Sequence, residues 1–393
     1  MRSLREKLKA VSSKPQVRDV PAPKRPDDQF FTREYRVPIS ELRGIERTTL
    51  EDICACDPHF TGSRWDISKL LFLDTETTGL SGGAGTLAFE IGVGFIQGQH
   101  MVIRQYVMRD YSEEAAMLHD LANLIGGFDT LVTFNGKTFD IPLLESRMIM
   151  QRIRPMLSEL PHFDLLHACR RVYKLRLKRC NLATLEEAVL GQGRKEDLPG
   201  ALVPQRYFDY LKTKEFALLD DVLNHNRQDV QSLASLTGHL CSVFRSPQQL
   251  AYAEDLFSVG RTLERGGDVY RARKCYRILG HSSMSSKAHM HLAASFKRER
   301  NWEEAVSSWN DMIARAEGGV LPYIEAAKYY EHVMRDIPRA LSYANAALAY
   351  ELNMTLLRDE GQNETLSALH KRIDRLKKKQ NKTISCRSQE DGI

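Results

Sequence analysis

The sequence contains little cysteine and no long run of apolar residues. Seven cysteines, an odd number spread over 393 residues, do not suit a disulfide framework. No apolar stretch approaches the length that spans a membrane, and the charged start MRSLREKLKAVSSK is followed by no apolar signal core. We therefore expect a cytoplasmic protein that has no membrane partner.

One pair of cysteines resembles half of a metal site. Cys54 and Cys56 lie two positions apart, and His59 follows closely. A zinc site of this kind normally has a second ligand pair, and none lies nearby, so free thiols are the favoured interpretation. The length of 393 residues exceeds what one hydrophobic core usually organises and predicts two or three domains.

Two acids follow an apolar run that begins at Leu70. The run suits a buried strand, and it ends in Asp74 and Glu76 with one residue between them. Because side chains alternate along a strand, both carboxylates project from the same face. Two carboxylates so close at a buried strand end repel one another unless a cation binds them. Hard oxygen ligands favour Mg²⁺ or Mn²⁺, although solvated terminal acids would be the alternative.

A further acid follows a second short apolar strand. The segment Asn135 to Asp140 leaves this strand, and a helical pattern that contains Pro142 starts directly after it. Pro is tolerated in the first helical turn, so Asp140 lies at or next to a helix N-terminus. Asp140 could serve as an N-cap and Asn135 as a turn residue. An N-cap aspartate can also bind metal-bound water, so the two interpretations are compatible.

The third acidic segment lies on an amphipathic helix. His225 and Asp229 are four residues apart and therefore lie on one helical face. Taken alone, the pair would be an ordinary surface ion pair. Together with the other acids, we favour Asp229 as a metal ligand and His225 as a group that steers or deprotonates the attacking water.

The three segments DTETTGL, FNGKTFDIPLL and HNRQDVQSL carry a family resemblance. In this order they resemble the motifs of DEDD-type 3′–5′ exonucleases of the ribonuclease H-like fold. The chain is most similar to the YprB-like branch, in which such a domain precedes helical repeats. The segments HFDLLHACRRVY, CNLATLEEAVLG and RKEDLPG support this resemblance, which covers roughly residues 65–245 strongly.

The resemblance implies a set of catalytic and substrate-binding residues. The implied ligands of two Mg²⁺ or Mn²⁺ ions are Asp74, Glu76, Asp140 and Asp229. His225 departs from the family, because known versions place tyrosine four residues, or histidine five residues, before the last aspartate; the general base is therefore open. The residues implied near the terminal nucleotide are Thr77, Leu80, Asn135 and Lys137.

The order of predicted elements indicates an α/β domain with a mixed sheet and flanking helices. The resemblance implies that this is a ribonuclease H-like domain over residues 61–245. The strand candidates are Leu70–Asp74, Leu87–Gln97, Met101–Met108 and Thr130–Phe134. Residues 1–60 are rich in basic residues and contain several prolines. We expect them to form a basic, partly flexible segment.

Beyond residue 246 the pattern predicts helices alone. Small residues recur near a spacing of 33, as from Ala272 to Ala305, and a third copy follows with small adjustments. This spacing indicates an all-α, TPR-like helical repeat domain over residues 250–380, with a tail at 381–393. The repeats could bind a protein partner, cap the first domain or extend a nucleic-acid track.

Basic residues cluster at both ends of the chain and inside the first domain. Both ends could contact phosphate or simply be solvated. The internal cluster alternates with apolar residues and is the better candidate for a substrate-facing surface. Its members are Arg170, Arg171, Lys174, Arg176, Lys178 and Arg179.

Two functions are compatible with these motifs. The first is a metal-dependent nuclease that acts on DNA or RNA, with a single-stranded 3′ end as the implied substrate. The second is a non-catalytic nucleic-acid-binding adaptor that recruits proteins through its repeats. The presence of all four acids favours the enzyme. The choice between DNA and RNA depends on contacts to a 2′-hydroxyl that no motif specifies.

Overall fold

The structure is a computed structural model that describes residues 30–79, 85–154, 156–194, 198–358 and 364–390. The chain divides into two units, Met1–Gln249 and Leu250–Ile393. Among the helices of the described residues, none combines the length and the hydropathy that crossing a membrane requires.

A six-stranded mixed sheet organises the first unit. Its strands are β1 (Phe31–Pro38), β2 (Leu70–Thr77), β3 (Ala88–Gln97), β4 (His100–Val107), β5 (Thr130–Thr133) and β6 (His162–Asp164). The order across the sheet is β1-β4-β3-β2-β5-β6. The strands β2, β5 and β6 are parallel, whereas β3, β4 and β1 join by antiparallel pairing. The predicted mixed sheet is confirmed, and the four predicted strands lie within a few residues of their expected bounds.

The structure differs from the prediction for residues 31–60, which we expected to belong to a partly flexible segment. Strand β1 pairs with β4 along its whole length and forms an edge of the sheet. Its charged residues conceal the strand pattern, since Tyr35 and Val37 are buried while Glu34 pairs with Arg104 of β4 at 2.7 Å. Helix α1 (Leu50–Cys56) follows and begins with a capping box. Residues 1–29 lie outside the described part of the chain.

Helices flank the sheet on both faces. They are α2 (Glu114–Ile125), α3 (Asp140–Met150), α4 (Leu165–Tyr173), α5 (Leu182–Leu185), α6 (Val203–Thr213) and α7 (Asp220–Arg245). Leu71 and Leu73 of β2 pack into a core with Leu118, Leu144 and Tyr207 of α2, α3 and α6. Because neighbouring residues of a strand face opposite ways, Asp74 faces the side on which α7 packs.

Helix α7 approaches the sheet closely because glycine replaces larger residues in β3. A Cβ atom built on Gly92 would lie 2.0 Å from Asn226 Oδ1, and one on Gly94 would lie 2.7 Å from Val230 Cγ1. Both distances are shorter than side-chain contacts allow. Because glycine has no side chain, α7 can pack close enough to the sheet for its polar residues to contact the end of β2.

The second unit is helical in its described residues. The helices are α8 (Ala253–Arg265), α9 (Val269–Ile278), α10 (Ser285–Arg298), α11 (Trp302–Ala314), α12 (Leu321–His332), α13 (Ile337–Arg358) and α14 (Glu364–Glu390). The recurring small residues Ala272, Ala305 and Ala340 are buried, as the spacing predicted. The predicted tail begins inside α14, because no glycine or proline interrupts the helix between residues 364 and 390.

Part of the C-terminal basic run neutralises a buried acid. The Glu331 side chain is fully buried, and Arg375 and Lys379 donate to it at 2.9 and 2.8 Å. Arg372 lies 3.4 Å from the same carboxylate. These three residues therefore share a buried acid, although Arg375 and Lys379 remain about half exposed. Lys377 and Lys378 are also exposed.

The close approach at Gly92 leads to a stability prediction. Gly92→Ala should destabilise the protein by about 1–3 kcal/mol, because the added methyl group forces Asn226 and α7 away from the sheet. Gly200→Ala is the control, since no atom of the described residues, apart from the adjoining ones in the chain, lies within 4 Å of a Cβ built there. Urea unfolding of both variants measures the effect; equal stability of the two variants would contradict the packing argument.

Candidate active site

Two carboxylates project from the last residues of β2. Asp74 and Glu76 lie beyond the final β2–β5 pair, Phe72 with Val132. On the other side, Asp74 pairs with Gly92 and Glu76 with Glu90 of β3. The two acids therefore occupy the point where β2 separates from β5, next to a glycine that leaves space above the sheet.

Asp140 comes from the neighbouring connection. The chain leaves β5 through a turn in which Asn135 adopts a left-handed conformation with φ of 70°. Asp140 is the first residue of α3, and the position before it, Phe139, makes no side-chain cap. Thr75, the residue between the two β2 acids, donates from Oγ1 to Asp140 Oδ1 at 2.5 Å. Asp140 is therefore tied to β2 and does not serve as the N-cap that the sequence allowed.

Helix α7 contributes the third acidic segment. His225 Nε2 lies 3.7 Å from Glu76 Oε1 and 3.6 Å from Asp229 Oδ2. One ligand atom from each of these three residues lies within 4.8 Å of the others. The i, i+4 pair predicted on this helix thus faces the β2 acids and is largely shielded from solvent.

A buried amide network positions Asp74, and its members were not among the predicted site residues. Asn226 Nδ2 donates to Asp74 Oδ2 at 3.0 Å, and Gln105 Nε2 donates to Asn226 Oδ1 at 3.1 Å. The same Gln105 nitrogen also lies 2.8 Å from Glu90 Oε1. Asn226 sits inside the third motif, and Glu90 interrupts an apolar strand, so both carried a signal in the sequence.

Arg194 is a further site residue that the sequence did not predict. Its guanidinium donates to Glu186 and to Asp229, and Nη1 donates to His225 Nδ1 at 3.1 Å. The Arg194 side chain is only 9% exposed, and Glu186 is buried on the π-helical turn that follows α5. A buried cation therefore lies against the acid from α7.

Burial and mutual repulsion disfavour ionisation of these acids. Burial, followed by the charges of Asp229, Asp140 and Glu76, raises the pKa of Asp74 well above its usual range. Burial raises the pKa of Glu76 to about 8 although His225 opposes the shift. Burial also raises the pKa of Asp140 to about 6, against the hydrogen bond from Thr75. The pKa of Asp229 is raised by burial, which outweighs His225 and Arg194.

The donor set fits a hard divalent cation. The pKa values of all four carboxyl groups are raised. A nearby positive charge would therefore stabilise their ionised forms. Arg194 compensates part of this charge at Asp229. Oxygen ligands in this number suit Mg²⁺ or Mn²⁺.

The described residues expected near a terminal nucleotide lie at the end of β2 and on the connection between β5 and α3. Asn135 N and Lys137 N both donate to the Asp164 carboxylate, at 2.8 and 3.1 Å, so the buried Asp164 fixes the backbone of this turn. The Lys137 side chain is exposed. Thr77 Oγ1 donates to Gly79 O at 2.8 Å. Leu80 lies outside the described residues.

The predicted basic cluster of residues 170–179 is partly used for internal contacts. Arg171 pairs with Asp57 at 3.0 Å, and Lys174 donates to the Lys178 carbonyl at 2.7 Å. The cluster therefore offers only some of its charges to a substrate. Elsewhere in the described chain, Cys54 and Cys56 are free cysteines, and they form no metal-binding group with His59.

Comparisons with known proteins give the following similarities. Residues 71–241 match the family model of the RNase_H superfamily. Uncharacterized protein YprB of Bacillus subtilis (strain 168) is 32% identical over 367 residues, which cover 90% of this chain and 87% of YprB. Among solved structures, a family B DNA polymerase from the hyperthermophilic archaeon Pyrobaculum calidifontis aligns with a TM-score of 0.36 and 16% identity, over 52% of this chain and 30% of the polymerase chain.

The raised pKa of Glu76 predicts how stability changes with pH in the absence of metal. Between its ordinary pKa of 4.5 and about 8, the folded protein binds more protons at Glu76 than the unfolded chain does, so this residue lowers stability as pH rises. Glu76→Gln removes the effect. The gain in melting temperature of Glu76→Gln over wild type, measured in EDTA, should therefore grow from pH 5 to pH 8.

Exposed Glu187 provides the control, because Glu187→Gln should give no such pH-dependent gain. The comparison with wild type removes contributions from other titrating groups. A gain for Glu76→Gln that is constant or shrinks as the pH rises would show that Glu76 is not held in the crowded acidic site.

Proposed function

The chain belongs to the YprB-like family and carries an RNase_H superfamily domain, and on this premise we propose that it is a divalent-metal-dependent nuclease of the DEDD type. The observation that supports the proposal best is that Glu76, His225 and Asp229 offer ligand atoms within 4.8 Å of one another, while Asn226 holds Asp74 and Thr75 holds Asp140 at the same strand. The proposed reaction is phosphodiester hydrolysis at the 3′ end of a single strand.

The acids would hold a pair of Mg²⁺ or Mn²⁺ ions. Asp74, the central acid of the group, is the proposed shared ligand, with Glu76 and Asp229 on one ion and Asp140 on the other. When bound, such a pair supplies a hydroxide-like nucleophile and stabilises the leaving oxygen. Asn226 keeps the Asp74 carboxylate oriented, and Thr75 does the same for Asp140.

His225 acts in this proposal as a hydrogen-bond donor. A guanidinium can only donate, so the hydrogen bond from Arg194 Nη1 makes His225 Nδ1 the acceptor. A neutral ring then carries its proton on Nε2, the atom that faces Glu76 and Asp229. A second proton, on Nδ1, would remove the acceptor that Arg194 uses. We therefore assign His225 to hold a phosphate oxygen, and Arg194 to position His225.

The cleavage reaction provides the first test. Asp74→Asn should lower the rate by at least about 10²-fold, since it removes a charged metal ligand while keeping the hydrogen bond geometry of the side chain. Asp221→Asn, on the exposed first turn of α7, is the matched control and should cleave like wild type. The measurement uses 5′-labelled single-stranded DNA and RNA with Mn²⁺, Mg²⁺ or EDTA.

A ladder that shortens from the 3′ end and requires metal is the expected product pattern. Cleavage of circular single-stranded DNA would instead indicate endonucleolytic action. If every substrate stays intact with either metal, or if Asp74→Asn remains fully active, the nuclease proposal fails. The first of these outcomes would favour a non-catalytic adaptor.

The role of His225 is tested by two substitutions. His225→Gln keeps an N–H donor and should retain activity within about tenfold, whereas His225→Leu should lose about 10²-fold or more. If His225 were a general base, neither Gln nor Leu could replace it, and both variants would lose activity to a similar extent. Single-turnover rates at saturating Mn²⁺ measure the difference, and similar large losses in Gln and Leu would overturn the donor assignment.

A further inference from the structure

A positively charged groove lies in the second unit, on helices α8, α9 and α10. It encloses about 350 Å³. Its lining residues are Arg261, Glu264, Arg265, Val269, His291 and Arg298. We call it the arginine groove. Three arginines against one acid give its lining a formal charge of +2 with His291 neutral.

The single acid of the groove is already satisfied. Glu264 accepts hydrogen bonds from Tyr276 at 2.7 Å and from His291 Nδ1 at 2.8 Å, and it also pairs with Arg298. These bonds lower the pKa of Glu264 to about 2 despite its burial. The carboxylate is therefore a charged anchor that fixes Arg298 and His291, and it has little capacity left for other cations.

The other two arginines carry charge that the groove does not neutralise. Among the described residues, neither Arg261 nor Arg265 forms an ion pair. They are four residues apart on α8, so their like charges lie on one helical face and destabilise the helix slightly. Arg261 is held over the ring of Phe257, with 5.9 Å between the guanidinium carbon and the ring centroid. Two arginines on one helical face thus line this groove without an ion-pair partner among the described residues.

We propose that the arginine groove binds the phosphodiester backbone of single-stranded nucleic acid. Guanidinium groups match phosphate geometry through paired N–H donors, and adjacent phosphates would neutralise the Arg261–Arg265 pair. This binding does not rest on the nuclease proposal, because it involves residues of the other unit and needs no divalent metal.

The lining favours a nucleic-acid backbone over an acidic peptide. Peptide ligands gain much of their affinity from apolar anchors in pockets, and Val269 is the only apolar residue among those that line the groove. A backbone of phosphates instead gains affinity from charge neutralisation and counterion release, which the arginines provide.

The test measures binding of a fluorescent single-stranded oligonucleotide to the full chain by anisotropy in EDTA, over a series of salt concentrations. Arg261→Gln/Arg265→Gln should weaken binding about tenfold or more at ~0.1 M salt. A plot of the logarithm of the binding constant against the logarithm of salt concentration should also become less steep by about 1.4. Each phosphate that is no longer neutralised accounts for about 0.7 of this slope. Arg261→Lys/Arg265→Lys keeps the charges and should keep the salt dependence of wild type, but it should lose part of the affinity because an ammonium group lacks the paired N–H donors of a guanidinium.

The matched control is Lys377→Ala/Lys378→Ala, which removes two exposed charges elsewhere in the same unit. It should bind nearly as wild type. An equal loss in this control would show that only net charge matters and would overturn the groove assignment. So would unchanged binding by the Gln variant with an intact circular dichroism melt. An acidic peptide of matched charge that binds more tightly than the oligonucleotide, through the same arginines, would replace nucleic acid by protein as the ligand.

Discussion

The mutual repulsion of buried carboxylates is the constraint on which the first unit depends. The four acids Asp74, Glu76, Asp140 and Asp229 come from segments up to 155 residues apart. In the fold, burial raises the pKa of every one of them, and the charges of the other three acids raise the pKa of Asp74 further. Such a group costs stability unless cations share it. The four acids therefore form a group that an added cation would stabilise, and Arg194 supplies only part of the positive charge.

Much of the surrounding structure serves this acidic group. Glycine at position 92 lets α7 pack close to the sheet, so that Asn226 donates a hydrogen bond to Asp74. Gln105 in turn donates a hydrogen bond to Asn226. Arg194 lies on the other side and links Asp229 to His225. The amides accept and donate without adding charge, whereas Arg194 adds a single positive charge at the edge of the group. The site therefore combines rigid placement of its acids with an incomplete charge balance.

The sequence predicted the sheet and the acids because their signals are local. Apolar runs mark the strands, and the β2 acids and the α7 pair follow the periods of strand and helix. The partners of these acids could not be predicted in the same way. Arg194 lies beyond the π-helical turn whose Glu186 it pairs with, and Gln105 bonds Glu90 diagonally across the β3–β4 pair. Strand β1 was missed because its charged residues face solvent at the edge of the sheet.

The second unit uses charge differently. Glu331 forms ion pairs with basic residues of α14. Glu264 pairs with Arg298 and leaves two arginines of α8 without an ion-pair partner among the described residues. The acidic group of the first unit nevertheless remains the central feature, and anomalous scattering from crystals grown with Mn²⁺ tests it most directly. We predict a manganese peak within bonding distance of Asp74, Glu76 and Asp229, with a second one near Asp140. Crystals that contain Mn²⁺ elsewhere but show no peak at these carboxylates would contradict a metal site built from the four acids.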